Sequence, residues 1–99
     1  MHSLTIQLHK RGKTSQGWLV TLWRGPTRLA SVLVLYSTST RTWYQQLSAL
    51  ADHWTAALRL AQQLSDELRR QAPTMALLPD VYTRAQLRLR ELGYEFLGS

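Results

Sequence analysis

Residues 18–36 read WLVTLWRGPTRLASVLVLY, and their patterning decides the fold class. Trp18, Val20 and Leu22 alternate with Leu19, Thr21 and Trp23, the two-residue period of a strand rich in β-branched and aromatic side chains. Arg24-Gly25-Pro26-Thr27 interrupts the pattern with turn chemistry, because proline presets φ and glycine tolerates positive φ. RLASVLVLY, residues 28–36, then reads as a second strand of this kind, and both are apolar on two faces. Upstream, LTIQLH at residues 4–9 sets Leu4, Ile6 and Leu8 against Thr5, Gln7 and His9, a half-buried strand. The basic turn KRGKTSQG joins it to Trp18. Three successive strands with short connections predict an antiparallel meander.

Downstream the tract from Ser37 to Thr42 is polar, and Thr42 followed three residues later by Gln45 fits a capping box that starts a helix. Leu47, Leu50, Trp54, Ala57, Ala61, Leu64 and Leu68 recur at alternating spacings of three and four, with Ala51, Leu58 and Leu60 widening the stripe. The predicted helix runs from about Trp43 to Arg70 and is roughly 40 Å long. It would outrun a six-residue strand of roughly 20 Å, so its end must overhang, bend or meet a partner helix. Gln71-Ala72-Pro73 breaks it, and residues 74–78 are apolar, fitting either a short strand or a buried connection. Asp80 then serves as an N-cap for a second helix from about Val81 to Leu92, with Val81, Ala85, Leu89 and Leu92 on one face and Arg84, Arg88 and Glu91 on another. Gly93 suits the left-handed position after it. The tail at residues 94–97 alternates Tyr94 and Phe96 against Glu95 and Leu97, as an edge strand or a pair of packed aromatics would.

The predicted fold is therefore α+β, a single domain over residues 1–99. It comprises a three-stranded antiparallel meander, a long helix and a shorter second helix, with a C-terminal edge strand as an open addition. A chain of 99 residues, 44% apolar and 18% charged, is long enough for one folded core. The absence of cysteine excludes a disulfide framework, a thiolate nucleophile and a Cys-ligated zinc. The N-terminus lacks the pattern of a signal peptide and no apolar run reaches the length of a membrane span, so the expected protein is soluble and cytoplasmic.

Charge divides the chain. Residues 1–50 hold Lys10, Arg11, Lys13, Arg24, Arg28 and Arg41 and no Asp or Glu, so the whole net charge of +6 belongs to that half. Residues 51–99 balance six Arg against Asp52, Asp66, Glu67, Asp80, Glu91 and Glu95. The groups that catalysis would need do not converge: Asp66-Glu67 and Asp52-His53 are neighbours in sequence and diverge on a helix. His2, His9 and His53 have no metal-ligand spacing, and the RGK and RGP turns lack phosphate-loop and dinucleotide fingerprints. The reading is non-enzymatic, with no metal and no cofactor.

Nucleic-acid binding needs cations for phosphates and flat side chains for bases, and both occur in the first half. Lys10, Arg11 and Lys13 form one group, and Arg24 and Arg28 flank the second turn beside Trp23; these six residues are the candidate contacts, to DNA or RNA. If the long helix covers one face of the sheet, Thr5, Gln7, His9, Thr21 and Trp23 belong to the other. The order of three strands and a helix is similar in outline to the sheet-reading DNA-binding domains of integrase N-termini and plant AP2 factors. A second reading stands beside it, a non-catalytic adaptor that oligomerises or docks on a larger or acidic protein through its long helix and two-sided apolar strands. The ten arginines among twelve cations suit bidentate contacts in either setting.

Overall fold

The computed structural model describes residues 1–71 and 78–97. It is α+β, with a four-stranded antiparallel sheet followed by two helices. The strands β1 (His2–Arg11), β2 (Ser15–Arg24), β3 (Thr27–Ser37) and β4 (Thr42–Ala49) lie side by side in chain order. A 3₁₀ turn at Ala51–His53 leads into α1 (Trp54–Gln71), and α2 (Leu78–Arg90) follows.

The first three strands are those the alternation predicts. Leu4, Ile6 and Leu8 stand opposite Leu22, Val20 and Trp18, which in turn stand opposite Ala30, Val32 and Val34. These side chains face the helices, and Leu4, Trp18, Val20, Leu22, Ala30, Val32 and Val34 join one core with Ala57, Leu60, Leu64 and Leu68 of α1 and Val81, Ala85 and Leu89 of α2. A bulge between Leu22 and Trp23 absorbs Leu29 as an extra residue of β3, and Leu29 is also buried in the core.

The helix expected from Trp43 starts instead at Trp54, and Thr42 opens a strand. Thr42, Trp43 and Tyr44 are strong strand formers, and the segment alternates Trp43, Gln45, Leu47 and Ala49 against Tyr44, Gln46 and Ser48. Pairing of this stretch along Ala30–Ser37 satisfies the free edge of β3, a gain larger than a capping box offers. Arg41 takes the left-handed turn position at φ 54°, letting the chain reverse between β3 and β4. The helical stripe accordingly begins at Ala57: Leu47 belongs to β4, Ala51 and Leu50 are exposed, and Trp54 and Leu58, expected inside, are 47% and 51% exposed. With 18 residues α1 is about 27 Å long, close to the length of a ten-residue strand, so the expected overhang disappears.

The second helix begins three residues before its expected start, with Asp80 inside its first turn and not as its cap. Its end follows the reading: Gly93 has φ 94°, its N–H donates to Arg90 O at 2.9 Å, and Tyr94 N–H donates to Leu89 O at 3.2 Å, a Schellman closure. The tail forms a single parallel bridge between Phe96 and His2, with Phe96 buried in the core, so it is less than a full edge strand. Of the segment read as strand or connection, residues 74–77 lie outside the described residues and Leu78 opens α2.

Candidate nucleic-acid interface

Alternation along the strands assigns a second sheet face, opposite the helices. In register it consists of His9, Gly17, Leu35 and Tyr44; Gln7, Leu19, Leu33 and Gln46; and Thr5, Thr21, Ser31 and Ser48. Ser3 and Trp23, with Arg28, extend it at one end, and Arg11 at the other. Leu33 and Leu35 are 8% and 2% exposed yet do not belong to the core shared with the helices. They lie on β3, an inner strand of the sheet, between β2 and β4. No carboxylate side chain occurs anywhere in the sheet, since the first acid of the chain is Asp52.

The six expected contact residues are split between the two ends of the sheet and between its two faces. Lys10, Arg11 and Lys13 gather at the β1–β2 turn, which hydrogen bonds tie to the β3–β4 turn: Thr38 N–H donates to Thr14 O at 2.8 Å, and Ser39 Oγ donates to Thr14 Oγ1 at 3.4 Å. Arg41 therefore joins this end of the sheet, a cation that the sequence reading counted but did not assign to the site. A cleft of about 120 Å³ opens here, lined by Lys10, Lys13, Thr14, Ser15 and Thr38 among others. Arg11 holds its guanidinium carbon 5.0 Å from the centre of the Tyr44 ring, on the uncovered face.

Arg24, Arg28 and Trp23 lie at the opposite end. Trp23 is half-buried and donates its Nε1–H to Thr5 Oγ1 at 3.1 Å, which fixes the ring across β1 and β2. Arg28 is its register partner on β3 and is exposed. Arg24 has the opposite strand parity and turns away from them: its Nη2 donates to His2 Nε2 at 3.4 Å. His2 Nδ1 donates to the Glu95 carbonyl at 3.2 Å, so the neutral ring satisfies both neighbours. Burial pushes its pKa below the ordinary imidazole value and Arg24 pushes the same way, against the Glu95 carbonyl.

Tyr44 is the aromatic that sequence reasoning missed. Its signal was the alternation from Trp43 to Ser48, overlooked because Thr42 and Gln45 imitate a helix cap. Thr5, Gln7, His9, Thr21 and Trp23 do share the face opposite the helices, although Thr21 is buried. No protein-family model matches the chain, and no curated protein or solved structure shows significant similarity to it.

Proposed function

We propose that this chain is a non-enzymatic nucleic-acid-binding protein whose uncovered sheet face receives a single strand. The observation that carries the reading is a carboxylate-free face that presents Trp23 and Tyr44 between cations at both ends of the strands. Bases stack on exposed rings, and the phosphate backbone pays no repulsion along such a surface. Lys10, Arg11 and Lys13, together with Arg41, contact phosphates at one end and Arg28 at the other, while Arg24, turned toward His2, takes no part. A duplex major groove admits a helix or a two-stranded ribbon, whereas an open four-stranded face suits unstacked bases better.

The test is fluorescence anisotropy with labelled single- and double-stranded oligonucleotides over a series of salt concentrations. Wild-type protein is expected to prefer the single strand and to lose affinity steeply with salt. Arg11→Ala combined with Lys13→Ala is expected to weaken binding about tenfold or more and to flatten the salt slope by about 0.7 for each lost single-strand phosphate contact. Unchanged affinity and slope in that variant would remove this end of the sheet from the site.

A second reading is favoured by the exposed Leu50, Trp54 and Leu58 where β4 passes into α1, an apolar patch suited to a protein surface. Sedimentation of the isolated chain checks it: a monomer at all concentrations tells against self-association through this patch.

A further inference from the structure

The helix layer carries another concentration of cations, away from the sheet face. α1 and α2 run antiparallel, and between them opens a groove of about 810 Å³. Arg69 and Arg70 line it from the last turn of α1, and Arg84 and Arg88 from α2. Beneath lies Glu67, fully buried, whose Oε1 accepts from both Arg70 Nη2 and Arg84 Nη1 and, at 3.3 Å, from Gln63 Nε2. Gln63 Oε1 in turn accepts from Arg88 Nε at 3.4 Å.

This wiring holds three guanidiniums around one groove while neutralising one of them. Arg70, Arg84 and Arg88 line the groove and remain about half exposed, and a guanidinium has five N–H groups, so each keeps donors beyond those that these bonds use. Glu91 lies 3.5 Å from Arg88 in an exposed pair that solvent weakens, and Asp66 is engaged by Gln62 at 3.0 Å. Positive charge is therefore in excess and preorganised, as recognition of a planar carboxylate requires. Leu87, on the same wall, is exposed and apolar. No aromatic ring lines the groove among the described residues to hold a base.

We propose that the α1–α2 groove binds an acidic peptide segment of a partner protein. A Glu or Asp side chain takes the free N–H groups of Arg84 and Arg88, and an adjacent apolar residue packs on Leu87. The site is independent of the sheet face, so the chain would hold a nucleic acid and a protein at once.

Anisotropy with a labelled short peptide alternating Glu and Leu, against its Gln–Leu counterpart, tests this on the full chain. Wild-type protein is expected to bind the Glu peptide about tenfold tighter than the Gln peptide. Arg88→Gln and Leu87→Ser, both at exposed positions, are expected to keep the wild-type circular dichroism and each to weaken Glu-peptide binding severalfold. A single-stranded oligonucleotide added in excess is expected to leave the peptide bound. Equal binding of the two peptides, full retention in Arg88→Gln, or displacement by the oligonucleotide would each overturn the proposal, the last by moving the acidic ligand to the sheet.

Discussion

Gly17 occupies a point where β2 and β3 approach too closely for a side chain. A Cβ there would lie 1.8 Å from the Val34 carbonyl oxygen and 2.9 Å from Leu35 Cα, both main-chain atoms without freedom to turn aside. Gly17→Ala must push two central strands apart, and the expected cost is about 3 kcal/mol, read as a lowered urea midpoint. A midpoint within error of wild type would mean that the strands separate freely. The sequence showed a glycine between a polar turn and Trp18, which reads as turn chemistry. The close approach belongs to the pairing of Gly17 with Leu35, a residue eighteen positions away. Glu67 has the same history. In sequence it is one of two adjacent acids that diverge, whereas in the fold Arg84 reaches it from another helix.

At the scale of elements, the segments with unbroken alternation were legible and the one with two competing signals was not. Residues 42–49 satisfy both a capping box and a strand period, and local propensity cannot rank them. The free edge of β3 decides, and it exists only once the sheet has formed. The tail was legible in its parity, with Phe96 inward and Glu95 and Leu97 outward. Its anchoring creates a pH dependence. His2 from β1 meets Tyr94 edge-on at 4.6 Å and faces Arg24 of β2, the chain's amino terminus and His53, which lies 2.5 Å from the Tyr94 hydroxyl. Because the folded ring binds its proton less readily than the unfolded one, its stabilising contribution is complete above the ordinary value of about 6.5. That contribution disappears as pH falls through the lower folded value. Thermal unfolding at neutral pH and near pH 5 is expected to show a smaller loss for His2→Asn than for wild type. Identical losses would show that the ring titrates alike in both states.

At the scale of the molecule, the two cationic ends stand about 30 Å apart, the length of a ten-residue strand. A strand whose bases are unstacked extends further per nucleotide than the roughly 3.4 Å of a duplex strand, so fewer than about nine nucleotides span both ends. Affinity is expected to climb steeply with oligonucleotide length up to about that size and then to level off. With Arg28→Ala the curve is expected to level off earlier, and a length curve identical to that of wild type would exclude simultaneous engagement of both ends.

By itself the sequence determined three strands, the α+β class, the closure of the second helix at Gly93 and the concentration of positive charge in the first fifty residues. These follow from nearest-neighbour chemistry: alternation, turn residues and the charge of each side chain. Tertiary structure decided the fourth strand, the partition of the cations between two sheet ends, the placement of Arg11 against Tyr44 and the joining of Glu67 to Arg84. Each depends on strand register or helix packing between residues far apart in the chain, and local patterning specifies which face a side chain takes without specifying what stands opposite it.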